Sequence, residues 1–223
     1  MTETILGIWN PTPHTLKRFE VIHNASAKDG TLLELGICTI HNQFIRKQHS
    51  HDMQKLLSDW QILPPFGQSI AFLRPISDDY RGAISMYSIG HIAVTCIGVI
   101  DNLSYLQEEL IPDNYQLDTE NVAEILCYLF NSYLDLTFLS PVEMMQAVMK
   151  RLKGHFAIMA LFMNNNRKWL IVGSHDYPLA IGKNNQTAYF STDTETLAQF
   201  SQSKLIIPKE IKPWIFHATS FQR

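Results

Sequence analysis

The sequence predicts an α+β protein built on antiparallel sheets. Strand-like segments come first, a central block of helical patterns follows from about residue 102 to 152, and strands return after Gly154. This order lacks the regular βαβα alternation of a parallel-sheet protein. The late strands are joined by short turns, Asn164-Asn165-Asn166 and Lys183-Asn184-Asn185, whose Asn residues tolerate the left-handed backbone of a hairpin turn. With 46% hydrophobic residues in 223, the chain can bury a substantial core, and we read residues 1–223 as a single domain. A four-layer αββα sandwich, two antiparallel sheets face to face with helices outside, accommodates this order.

The elements follow in turn. Thr4 to Trp9 (TILGIW) is a β-branched and apolar run ended by Asn10-Pro11-Thr12-Pro13, which predicts an opening strand. From His14 to His23 the apolar positions Leu16, Phe19 and Ile22 have the spacing of one helix face. Residues 31 to 46 predict a hairpin around His41-Asn42, and residues 51 to 60 a short helix stopped by Pro64-Pro65-Phe66-Gly67. Short strands are expected at 68–73, 82–88 and 91–97, and helices at 102–111, 119–134 and 140–152. The last helix opens on Ser140-Pro141-Val142-Glu143, with Ser to cap, Pro in the first turn and Glu three residues on. Strands HFAIMALFM, KWLIVGS, PLAIGK and TAYFST, a short helix TETLAQF, and strands LIIP and PWIFHA complete the chain.

Composition narrows the function classes. A net charge of -3 with 18 scattered basic residues leaves no electrostatic footprint for nucleic acid. The longest apolar runs, IAVTCIGVI and HFAIMALFM, are about half of the roughly 20 residues a membrane span needs, and no signal-peptide layout is present. We expect a soluble cytoplasmic protein with no membrane or nucleic-acid partner. Cys38, Cys96 and Cys127 sit in apolar surroundings without CxxC spacing, which fits reduced thiols. His49-Ser50-His51 has no carboxylate or Cys pattern to complete a metal site, so solvated histidines are expected, with no metal and no cofactor.

The segment from Val94 to Leu126 is the most informative: a strand (HIAVTCIG), a turn (VIDN), a helix (LSYLQEEL) and a helix start (LDTENVAEIL). It resembles the class II glutamine amidotransferase domain, above all the glutaminase domain of glutamine:fructose-6-phosphate aminotransferase, which reads roughly VVHNGIIENY and then TDTEVIAHL there. In the second half, Pro178-Leu179-Ala180-Ile181-Gly182 stands for the family's SPLVIG within L-x-x-A-R-x-G-S-P-L-x-I-G, and Ser191-Thr192-Asp193 for its ASD. The resemblance implies the N-terminal-nucleophile hydrolase architecture, which is the αββα sandwich. In that aminotransferase sugar-isomerase domains follow the glutaminase domain, and these 223 residues do not contain them.

The resemblance also implies a reaction template and shows where this chain departs from it. In the family a terminal Cys uses its own α-amino group as base, attacks the glutamine amide and forms a thioester, while an Asn side chain and a Gly N–H hold the oxyanion. Aligning the family's M-C-G-I on Ile5-Leu6-Gly7-Ile8 puts Leu6 at the nucleophile. Ile97 falls at the oxyanion Asn and Gly98 at its neighbouring Gly. No catalytic residue is therefore expected. The substrate-holding positions are better kept: Arg74 for a bidentate pair with the glutamine α-carboxylate, Ser77 for a family Thr, Gly98 for close backbone approach, and Asp118 for the α-ammonium. Family positions after the Arg read W-A-T-H-G, against Pro75-Ile76-Ser77-Asp78-Asp79 here.

Each of these residues has a plain structural alternative. Arg74 can pair with Asp78 or Asp79, Asp118 can cap the helix that follows it, and Cys96 can be a small core residue. The expectation is a pseudoenzyme of the glutaminase type that binds glutamine or a related amino acid, or a protein partner or second copy. One alternative is an active amidohydrolase using Thr2 or Cys96, although Thr2 lies four residues, roughly 13 Å of strand, before the aligned position. Another is a structural interaction module docking through Trp214, Phe216 and Phe221.

Overall fold

The computed structural model describes residues 4–9, 33–40, 43–50, 55, 58, 69–74, 84–110, 122–136, 139–164, 167–184, 187–200 and 214–218. The chain divides into two compact units, one of residues 1–80 and 178–209, the other of residues 81–177 and 210–223. Each carries one antiparallel sheet with its own helices, the α+β composition expected from the order of elements.

The first unit holds a six-stranded sheet of β1 (Thr4–Trp9), β2 (Leu33–Ile40), β3 (Gln43–Ser50), β4 (Ser69–Arg74), β9 (Ala180–Asn184) and β10 (Thr187–Ser191), in the order β3-β2-β4-β1-β10-β9. The opening strand has the predicted bounds and lies inside the sheet, between β4 and β10. The predicted hairpin around His41-Asn42 is present, but all eight residues of β3 pair with β2, so it runs to Ser50. Ile8, Leu179, Ile181, Phe190 and Leu197 are buried in this unit. Its helix α4 (Thr194–Phe200) packs on β9 and β10. Asp193 caps α4, because its Oδ1 accepts from Glu195 N at 3.0 Å while its own N–H donates to Ser191 Oγ at 3.0 Å. Lys55 and Ser58 are helical, within the predicted 51–60 helix. The predicted helix over 14–23 and strand over 205–208 lie outside the described residues.

The second unit holds a five-stranded sheet of β5 (Ile84–Ile89), β6 (Ile92–Ile100), β7 (Gly154–Asn164), β8 (Arg167–His175) and β11 (Trp214–Ala218), in the order β11-β8-β7-β6-β5. Residues Ile92 to Ile97 of β6 and Phe156 to Met163 of β7 are all buried, which explains their continuous apolar runs: both faces of these central strands are covered. Strand β6 extends three residues past its predicted end, through Gly98 to Ile100. Helices α1 (Leu103–Leu110), α2 (Val122–Leu136) and α3 (Pro141–Arg151) form the predicted central block. Helix α2 lies over β5 and β6 and α3 over β8. One cluster joins Val94, Cys96, Phe156, Ile158, Ala160 and Phe162 of the strands to Leu126, Phe130, Met145 and Val148 of the helices.

The start of α3 is the predicted capping box. Ser140 Oγ accepts from Glu143 N at 3.3 Å, and the Glu143 carboxylate accepts from Ser140 N at 2.8 Å. Hydrogen bonds from the Ser140 hydroxyl and backbone hold the Glu143 carboxyl below its ordinary value. A lowered carboxyl value stabilises the folded state above the unfolded value, and that contribution is lost as pH falls through the folded one. Ser140→Ala should cost about 1 kcal/mol in a urea melt, with no change in the dependence on denaturant.

Candidate functional site

Leu6, Arg74, Ile97 and Gly98 lie on described backbone, whereas Ser77 and Asp118 lie outside the described residues. Leu6 is in the middle of β1, opposite Phe72 of β4 and Ser191 of β10. The strand continues before it: Ile5 pairs with Leu73 and Thr4 with Arg74. Its backbone nitrogen is thus an internal peptide of a paired strand. The same ladder brings Arg74, the last residue of β4, two register steps from the Leu6–Phe72 pair.

Ile97 and Gly98 are neighbours on β6 of the other sheet. Ile97 is fully buried, between Ile84 of β5 and Ala157 of β7. Gly98 pairs with Phe156 and has φ +102, a conformation that side chains of L-residues rarely adopt. A Cβ there would stand 2.2 Å from His155 O and 2.9 Å from Phe156 Cα. The backbone requires a glycine here because of its φ and its approach to β7.

Cys96 precedes Ile97 on the helix-covered face. It is 1% exposed, and burial pushes its thiol up to about 12, so it is neutral and shielded at ordinary pH. Cys127 on α2 is shifted upward by the same cause, and its thiol donates to Tyr87 O at 3.4 Å. Both are free cysteines. His49 lies on β3 opposite Glu34, while Thr2 and His51 are outside the described residues.

Beside Gly98 the fold gathers residues that the sequence reading did not single out. Val99 stands opposite His155 across β6 and β7 and is 60% exposed. His155 Nδ1 is 4.0 Å from Asp176 Oδ2, both side chains being exposed. Ser174 lies opposite Ala157 on the same face of the sheet. On the other face, His175 Nδ1–H donates to Gly154 O at 2.7 Å, and its ring lies against Phe156. Asp176 has φ +48. It stands where the run R-x-G-S-P-L has Gly, and Asp is a residue type that tolerates the left-handed region. That departure from Gly was the one available signal; the pairing of His155 with Asp176 depends on the β7–β8 ladder.

Residues 73–199, more than half of the chain, match the family of glutamine amidotransferase domains. The chain belongs to that family. The amidotransferase domain is 35% identical over 112 residues to glutamine–fructose-6-phosphate aminotransferase [isomerizing] of Bartonella henselae, covering 50% of this chain and 18% of that protein. The enzyme of the same name from Bartonella quintana is 27% identical over 169 residues, 74% of this chain and 28% of its own length. The chain therefore spans less than a third of the length of these relatives. Among solved structures, glutamine phosphoribosylpyrophosphate amidotransferase from B. subtilis superposes with a TM-score of 0.67 at 13% identity, over 95% of this chain and 46% of that one. The allosteric regulatory enzyme of purine biosynthesis gives a TM-score of 0.64, also at 13% identity, over 95% of this chain and 46% of that one. These likenesses establish the α+β fold of the N-terminal-nucleophile amidotransferases expected from the sequence. No described helix is long and apolar enough to cross a membrane.

Proposed function

We propose that this amidotransferase domain binds glutamine or a related amino acid without hydrolysing it. The observation that carries the reading is the position aligned with the nucleophile. Leu6 offers a hydrocarbon where the reaction needs a thiolate, and its nitrogen is an amide within β1, with Ile5 and Thr4 paired ahead of it. An amide cannot serve as the amine base of an N-terminal nucleophile. At the second altered position, Ile97 has no donor to offer an oxyanion, and loss of one such donor typically costs about 2.7 to 4 kcal/mol of barrier. The binding half of the template is supported by Arg74, which lies two register steps from Leu6 in the same sheet.

Two measurements on the full chain test this. An ammonia-release assay with glutamine should give no turnover above the buffer, while calorimetry with glutamine and glutamate should show binding that Arg74→Ala weakens by about tenfold or more. Turnover in the wild type overturns the reading, as does the absence of any calorimetric signal. An electrophilic glutamine analogue separates out a displaced nucleophile: a covalent mass increase on Thr2 or Cys96 would mean an active amidohydrolase. The burial and raised value of Cys96 weigh against its serving.

A further inference from the structure

We propose that the groove between helix α1 and the end of helix α3 binds a small anion with a flat apolar body, a carboxylate or a phosphate ester, through Lys153 and Tyr105. The groove has a volume of about 590 Å³ and is lined by Asn102, Tyr105, Leu106, Glu109, Arg151 and Lys153. That volume is within the range of small-molecule sites. It lies wholly within the second unit.

Its frame is rigid. Asn102 Nδ2 donates to Arg151 O at 2.8 Å, Lys153 N donates to Asn102 Oδ1 at 2.9 Å, and Asp101 N donates to Lys153 O at 2.8 Å. Asn102 thereby closes the end of α3, and Asn102 and Asp101 together fix the Lys153 N–H and C=O, so the groove exists before any ligand enters. The base is apolar, because Leu106 is 1% exposed, while Tyr105 on the adjoining position is 65% exposed.

The charges differ in how far they are committed. Glu109 is held by the Arg151 guanidinium. Partial burial works against the charge of Arg151, but hydrogen bonds with Tyr133 and Glu109 and the Glu109 charge outweigh it, and its value is raised. The Lys153 ammonium has no acidic partner among the described residues, and neither has the Tyr105 hydroxyl a hydrogen-bond partner there. The lining residues carry two cations against one carboxylate, and with Arg151 and Glu109 paired the surplus charge of the lining is that of Lys153. An anion is the complementary charge, and a flat apolar body is what an exposed phenol ring covers with least loss of freedom.

The test is an amide-resolved NMR titration of the full chain with phenyl phosphate, benzoate, inorganic phosphate and benzyl alcohol. Phenyl phosphate or benzoate should shift the amides of residues 102–109 and 151–153. Which of the two binds more tightly identifies the headgroup. Inorganic phosphate and benzyl alcohol, each lacking one half of the ligand, should bind about tenfold or more weakly. Lys153→Ala and Tyr105→Ala should each weaken binding about fivefold, with melting temperatures close to wild type because both side chains are exposed. No shift in those amides at millimolar ligand overturns the proposal, and so does a neutral alcohol that binds equally well or a Lys153→Ala chain that binds as wild type does. A glutamine-binding result at Arg74 has no bearing on any of these outcomes.

Discussion

Gly98→Ala should destabilise the protein by about 3 to 5 kcal/mol. Two causes act together. The φ of +102 lies where a Cβ meets its own backbone, and the added methyl would stand 2.2 Å from His155 O, a backbone atom held in the β6–β7 ladder. No rotamer change relieves an overlap of backbone with backbone. Gly90→Ala is the internal control: its φ is +52, yet nothing lies within 4 Å of the added carbon, so only the left-handed conformation is penalised, at about 1 to 2 kcal/mol. Urea melts of the two variants decide the matter. Equal midpoints would show that the close approach of β6 to β7 contributes nothing beyond the backbone angle.

The second large effect is expected from Phe130→Ala, at about 3 to 5 kcal/mol. Phe130 is fully buried on α2 and meets the Phe162 ring of β7 edge-on, with centroids 5.5 Å apart and planes at 80°. Truncation removes that contact and leaves a void between helix and sheet, where close packing allows only partial collapse. Phe130→Leu keeps most of the volume and should cost about 1.5 kcal/mol or less. A Phe130→Ala loss as small as that of Phe130→Leu would mean that α2 can move to refill the space. Thermal melts of both variants, with the unfolding slope held constant, provide the comparison.

Most elements were legible because their causes are local. The run TILGIW, the apolar spacing of the central helices and the Ser140-Pro141-Val142-Glu143 start each act within a few residues, and each appears where expected. The ends of β3 and β6 were not legible, for reasons that lie elsewhere in the chain. Strand β3 continues through the polar residues Arg46 to Ser50 because β2 supplies partners as far as Leu33. Strand β6 passes through Gly98, normally a sign of an ending, because His155 and Phe156 lie close enough to require a glycine there.

For the site, the sequence supplied an alignment that sets Leu6 against a Cys and Ile97 against an Asn, with Arg74 and Gly98 expected to be kept. Side-chain chemistry is a property of the letter: that Leu6 carries no thiol and Ile97 no side-chain amide needs no coordinates. What the tertiary structure alone decided is position. It put Leu6 within a paired strand, buried Cys96 so that its thiol is pushed up to about 12, brought His155 to Asp176 across a ladder, and built the groove beside Lys153. These depend on register and burial, which arise only when segments distant in the chain meet, and no single stretch of sequence encodes them.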